Sequence, residues 1–368
     1  MTHPLRVLVA GWPNSPHVIS WAEAVAAAGH DVHVVGRTPS KWPPVKAGAN
    51  VHVLSDAGPP VVRSLRMSRA LLEVAADVKP DLVHAHWLPE LGWMAAREGL
   101  APLVCSAWGS DVLGIHGIGL RRSRRALEGS DLVLADSFHL ARATRELAAR
   151  DVPIEIVRWG LDLERFAPGD TAAARQALGL NHNGPLIVSV RGFEAIYNPA
   201  LQLEAFARVR ARREDARFLF KYSVERVPSA IRVLIDRLGI EGAVTMLGNV
   251  PPDRMADVYR AADVVVSVPS SDSSPRSVWE ALACGRPVVV SDLPWAREEL
   301  EDGRHALLAP LDAAAVAEAI ERALDDKWLG AEGRVLAKKE LDQAVSTTRI
   351  DTLYREVIDR SRRRATSR

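Results

Sequence analysis

The chain has 368 residues, 48% of them hydrophobic and 25% charged, with 47 Lys plus Arg against 46 Asp plus Glu. That length suits two domains, and the composition is that of a globular protein rather than a disordered or fibrous one. A charge balance so near zero excludes a global basic field of the kind that gathers nucleic acid.

The first residues run straight into an apolar stretch, "LRVLVAG", with no signal-peptide pattern. No later run is long enough to span a bilayer, so a cytoplasmic location is expected, at most touching the inner face of a membrane. Short Val-, Leu- and Ile-rich runs then alternate with longer segments of helical period. In the first half the runs fall at 6–11, 31–36, 50–54, 81–86, 102–107, 131–136 and 154–158. In the second they fall at 185–191, 216–222, 243–247, 263–268, 286–292 and 305–309. Continuous apolar strands separated by helices predict parallel sheets covered on both faces, an α/β doubly wound fold present twice. Cys105 and Cys284 lie inside such runs, far apart, and read as buried free thiols.

Pro168-Gly169 and the later Asn181, Asn183 and Gly184 are turn and linker signals. They divide the chain into a Rossmann-like domain over 1–168 and a second over 169–345. A last helix near 338–361 has no strand behind it, and residues 346–368 are expected to return to the first domain and end in a basic tail.

Ligands of open parallel sheets bind beyond the carboxyl ends of the strands, and two such sheets facing each other form a cleft. Trp12, Trp87, Trp108, Trp159 and Trp295 each fall one to three residues past a predicted strand. A Trp face suits the C–H surface of a sugar ring, and its N–H offers one hydrogen bond. Each alone also reads as packing. His17, in the loop after the first strand, reads as a ligand contact or as a structural helix-start residue. His84 and His86 alternate along one strand; His86, nearer its end, is the site candidate and His84 reads as core.

The stretch "VVVSVPSSDSSPRSVWEALACGRPVVVSD" (264–292) carries a polar loop from a strand into a helix. Free N–H groups and the helix dipole favour an anion at that entrance. Ser271, Ser273 and Ser274 leave room for a phosphate, Pro275 suits the first turn, and Arg276 and Ser277 add donors. Serines before a helix are also ordinary caps. Asp272 and Glu280, eight positions apart, supply two carboxylates able to accept from paired hydroxyls.

With these residues in view, "PSSDSSPRSVWEALACGRPVVVSDLPWAREELEDGRHALLAP" resembles the signature of the family 4 retaining glycosyltransferases, with Asp272 where the family has its first glutamate and Glu280 at its second. "SPHVISWAEAVAAAGHDVHVV", "DLVHAHW", "PLVCSAWGSDV", "IVRWGLDLERFAP", "VSVRGFEAIYN" and "LGNVPPDRMADVYRAADVVVSVPS" extend the resemblance over nearly the whole chain. It implies the GT-B architecture of two facing Rossmann-like domains, the first for an acceptor and the second for a nucleotide sugar. It also implies retaining transfer from a nucleotide diphosphate sugar, UDP before GDP, to a hydroxyl of a glycan, lipid-linked or natural-product acceptor.

By that resemblance Glu280 binds ribose hydroxyls, Asp272 holds the transferred sugar, Arg191 neutralises the departing diphosphate, and the Ser273–Arg276 backbone lies near it. The backbone from Gly248 through Asn249 and Val250 meets the base. The sugar nucleotide is a co-substrate, no cofactor is implied, and no Asp-x-Asp motif for a diphosphate-bridging metal is present. Three departures stand out. Tyr197-Asn198 replaces the family's second phosphate-binding lysine, for which Lys221 or Arg276 could substitute in space. Trp108 replaces a histidine, leaving Asp111 either an acceptor contact or a cap. Asp272 is one methylene shorter than glutamate. A sugar-nucleotide epimerase and a non-catalytic sugar-nucleotide-binding protein remain alternatives on this fold. The basic stretches 119–127 and 360–368 read as solvated helix faces and a tail, with weak peripheral membrane contact the competing reading.

Overall fold

The structure is a computed structural model that describes residues 3–37, 48–158, 160–222, 226–326 and 328–366. Trp159 lies outside the described residues, as do the last two residues of the basic tail. Among the described residues, every apolar run read from the sequence is a strand. In chain order they are β1 (Arg6–Ala10), β2 (Asp31–Gly36), β3 (Ala49–Val53), β4 (Leu82–His86), β5 (Leu103–Ser106), β6 (Leu132–Ala135), β7 (Ile154–Ile156), β8 (Leu186–Ser189), β9 (Arg217–Lys221), β10 (Val244–Leu247), β11 (Val264–Ser267), β12 (Val288–Ser291) and β13 (Leu307–Ala309).

They form two wholly parallel sheets, β3-β2-β1-β4-β5-β6-β7 and β10-β9-β8-β11-β12-β13. The central strands are buried on both faces; all residues of β4, β5, β8, β11 and β12 are buried. Strand order reverses at β1/β4 in the first sheet and at β8/β11 in the second, and crevices at such reversals are where ligands dock. Side chains that accept from early backbone N–H groups start several helices: Ser137 for Phe138–Leu147, Asp170 for Thr171–Ala177 and Asp312 for Ala313–Asp325. At the end of β2, a Cβ on Gly36 would stand 2.0 Å from the Gly11 carbonyl oxygen, so only glycine lets the β1 and β2 loops meet this closely.

The chain divides into two compact units, Met1–Gly160 with Gln343–Arg368, and Leu161–Asp342. The first crossing therefore precedes the Pro168-Gly169 turn. Leu161 donates its N–H to the Leu341 carbonyl and bridges to Asp342, so both ends of the second unit are tied into it. The last helix runs over Gln343–Thr366 rather than 338–361, because the preceding helix Leu329–Glu340 ends and the chain breaks at Leu341–Asp342 to make that pairing. Ile350, Leu353, Tyr354, Val357 and Ile358 of the last helix are buried against Val7, Val9, Trp21 and Val34 of the first unit. Both cysteines are buried.

Candidate active site

In the second unit, the loops leaving β8 and β11 lie side by side at the strand-order reversal. They are laced together by backbone groups. Ser270 donates its N–H to the Ile196 carbonyl at 2.8 Å, and Asn198 Nδ2 donates to the Val268 carbonyl at 2.9 Å. Asn198 holds φ +50°, a left-handed conformation that asparagine tolerates better than most residues. It directly precedes the Pro199–Arg212 helix, whose first residue is a proline.

Across the two loops, Arg191 donates through Nη2 to Asp272 Oδ2 at 2.7 Å and through Nη1 to Ser277 Oγ at 3.1 Å. Its guanidinium sits 4.3 Å from the Tyr197 ring centroid. Arg191 and Asp272 are 14% and 18% exposed, so the pair is poorly screened yet still reachable from solvent. Burial pushes the Asp272 carboxyl up, and Arg191 with the Ser273 N–H pulls it back down. Asp272 thus holds the cation rather than standing unengaged.

The Arg276–Ala283 helix opens behind Pro275, and no side chain caps it. The serines before it are not caps. Ser274 Oγ instead donates to Glu299 Oε2 and accepts from Trp279 Nε1, both at 2.7 Å. The Ser274 and Ser273 side chains are buried, which leaves the backbone of this loop for an anion. One turn in, Glu280 accepts from Arg276 Nε at 2.8 Å and from the Tyr259 hydroxyl at 2.7 Å. Lys221 ends β9; burial lowers its pKa, and the charge of Glu280 raises it in part. Leu247 pairs with Lys221 across β9 and β10, which brings Gly248, exposed Asn249 and buried Val250 to the same end of the sheet. Arg191, Lys221, Asn249, Val250, Asp272, Ser273, Ser274, Arg276, Ser277 and Glu280 therefore all lie at the carboxyl edge of one sheet.

In the first unit, Trp12, Trp87 and Trp108 follow β1, β4 and β5 as expected, and each is half-buried. His17 stacks edge-on against Trp108 at 4.8 Å, and His86 meets Trp108 at 5.6 Å. Burial holds the His86 imidazole well below its ordinary range, with the charges of His84 and His17 acting the same way. His84 is core: it bonds Tyr354 Oη at 2.6 Å and Ser106 Oγ at 2.8 Å, and burial lowers it to about 3.

Asp111 does not reach solvent. Its Oδ2 accepts from the Leu88 N–H at 3.0 Å and its Oδ1 from the Trp108 N–H at 2.7 Å. Burial raises its pKa to about 6 against these backbone donors. It staples the loop after β4 to the loop after β5, next to Trp87, whose φ of +69° is strained for a bulky residue. Trp295 is 1% exposed and belongs to the core of the second unit, so it leaves the set of loop tryptophans. Reading the sequence missed Tyr259, Glu299, Glu90 and Arg37. Glu90 accepts from Trp12 Nε1 and Arg37 Nε, both at 3.0 Å. No local motif could have signalled these, since each partner lies 21 to 78 positions away. Among the described residues, no three His, Cys, Asp or Glu side chains converge as metal ligands.

The family described as "Glycosyl transferases group 1" matches residues 170–340, and "Glycosyl transferase 4-like" matches residues 6–137. The chain thus carries a glycosyl transferase 4-like domain followed by a glycosyl transferases group 1 domain. Its curated relatives include proteins named D-inositol 3-phosphate glycosyltransferase. That of Nocardia farcinica is 32% identical over 62% of this chain and 55% of the relative; that of Kribbella flavida is 30% identical over 66% and 63%. The matched stretch thus spans less than two thirds of those relatives' length. Among solved structures, sucrose-phosphate synthase from Thermosynechococcus elongatus superposes with a TM-score of 0.84 at 20% identity, covering 96% of this chain and 99% of that one. Anabaena HepE, solved with UDP and glucose, superposes with a TM-score of 0.79 at 19% identity, covering 95% and 99%. The fold is GT-B. The departures at Tyr197, Trp108 and Asp272 all fall outside the strands, Tyr197 in the short 3-10 turn Ala195–Tyr197 and the other two in loops.

Proposed function

We propose that the chain transfers a sugar, with retention at the anomeric carbon, from a nucleotide diphosphate sugar to an acceptor hydroxyl. The bond from the anomeric carbon to the β-phosphate oxygen breaks, a bond to the acceptor oxygen forms, and the hydroxyl proton leaves with the nucleoside diphosphate. The observation that carries this reading is Arg191, largely buried at the strand-order reversal and bonded to both Asp272 and Ser277 at the uncapped helix entrance. Negative charge grows on the β-phosphate as the bond breaks. A fixed guanidinium and helix N–H groups stabilise that charge more in the transition state than in the ground state.

On this reading the diphosphate competes with Asp272 for Arg191, Lys221 takes the part of the family's missing lysine, and no divalent metal is needed because these cations supply the charge. Asp272 then turns to the transferred sugar, and Glu280 takes the ribose. UDP is favoured over GDP, in keeping with the UDP in the HepE structure. The acceptor belongs to the first unit, where His17, Trp87 and Trp108 offer an imidazole and aromatic faces and the buried His86 backs them. Asp111 acts there by fixing loops. The names of the curated relatives make D-inositol 3-phosphate the first acceptor to try.

The test is incubation with UDP- and GDP-sugars and a panel of polyol phosphates, glycans and lipid-linked acceptors. The expected outcome is free nucleoside diphosphate and a retained glycoside, unchanged by EDTA. Arg191→Ala should lower kcat about 10²- to 10³-fold, the usual cost of losing one preorganised donor. Epimerised donor, or binding without turnover across the panel, would replace the proposal by one of its alternatives.

A further inference from the structure

We propose that Tyr259 is a positioning residue that sets Glu280 to receive the two hydroxyls of a ribose, so that the second unit discriminates ribonucleotides from deoxyribonucleotides. The inference rests on reading this unit as the nucleotide-binding one. An ionised carboxylate offers about four lone-pair sites, two on each oxygen. In Glu280 one site on Oε2 is filled by the Tyr259 hydroxyl at 2.7 Å, and one on Oε1 by Arg276 Nε at 2.8 Å. One site on each oxygen is left, and two acceptor sites on adjacent oxygens match a pair of vicinal hydroxyls.

The two anchors also stop the carboxylate from turning. Tyr259 is fully buried and packs edge-on to Phe166 at 6.2 Å, so its hydroxyl cannot follow Glu280 to another rotamer. Any turn of the carboxylate strips it of a donor at a site only 12% exposed, where a lost bond is not replaced by bulk water. Burial and the negative charge of Glu280 hold the Tyr259 phenol well above its ordinary range. It therefore stands as the hydrogen-bond donor to Glu280. Tyr259 lies on the Met255–Ala261 helix and Glu280 on the helix after β11. The alignment is thus made by packing of one helix against another and not by any local motif.

The experiment is titration calorimetry of the full chain with UDP and with 2′-deoxy-UDP, or with the matching GDP pair if that base binds more tightly. The wild-type chain should prefer the ribonucleotide by about tenfold or more, the worth of one hydrogen bond to a charged group. Tyr259→Phe, which removes only the hydroxyl, should narrow that preference to about threefold or less, since Glu280 keeps a single anchor. The ratio is internal to each variant, so a general loss of stability does not move it. A preference that survives in Tyr259→Phe overturns the inference, and so does a wild-type chain that binds both nucleotides equally. A wild-type chain that binds none of UDP, GDP and ADP overturns the nucleotide reading itself, and the inference falls with it. A wild-type crystal structure with UDP supplies a check that does not depend on the variant: Glu280 should still accept from Tyr259 while it contacts the ribose. A carboxylate swung away from Tyr259 would refute the proposal.

Discussion

Asp111 shows how one buried carboxyl can tie two loops together through their backbone N–H groups. Its pKa rises from the ordinary 3.8 to about 6 because burial outweighs the backbone N–H donors around it. Between those values the folded chain holds a proton that the unfolded chain has released, so this residue's contribution to stability falls as pH rises through the window and is constant above it. Asp111→Asn abolishes the titration. From pH 4 to pH 7 the stability of the wild type relative to the variant should therefore drop by about 2 kcal/mol, measured by urea unfolding at each pH. A difference that stays flat over this range would mean that Asp111 titrates normally.

Among the elements, the loop from β11 into the Arg276–Ala283 helix does two jobs with neighbouring residues. Ser274 anchors it inward through Trp279 and Glu299, while Asp272 and Ser277 face Arg191. A run of small polar residues between two buried elements is thus needed because each side of the loop must be satisfied separately. Ser274→Ala leaves the buried Trp279 N–H without its acceptor. It should cost about 1–3 kcal/mol in urea unfolding, through the fold rather than through any contact of the hydroxyl with a donor. A variant as stable as the wild type would show that water or another group replaces the hydroxyl.

On the scale of the whole molecule, the chain leaves its first unit at Gly160 and returns at Gln343. Residues 161–342 contain both strands and helices of their sheet and close on themselves through Leu161 and Leu341. This segment alone should melt cooperatively, as followed by circular dichroism. Residues 1–160 alone should not fold, because Ile350, Leu353, Tyr354, Val357 and Ile358 would no longer cover the sheet. At about 1.5–3 kcal/mol for each buried apolar side chain, that loss is comparable to the entire stability of a domain. A cooperative melt of 1–160 would disprove this dependence.

The sequence by itself determined the thirteen strands, the duplicated parallel architecture, the polar loop before Ser277 and the family, because apolar periodicity and turn chemistry act over a few neighbouring residues. It also placed Arg191, Asp272 and Glu280 at strand and helix ends on one sheet edge. Only the tertiary structure decided that Arg191 pairs with Asp272, that Tyr259 and Arg276 share Glu280, that Asp111 serves the backbone, that Trp295 is core and that the last helix starts at Gln343. Apart from Arg276 with Glu280, which are one helical turn apart, those pairings join residues tens of positions apart. Which donor meets which acceptor is fixed by how packed helices and strands bring their ends together, and no local pattern of residues encodes that.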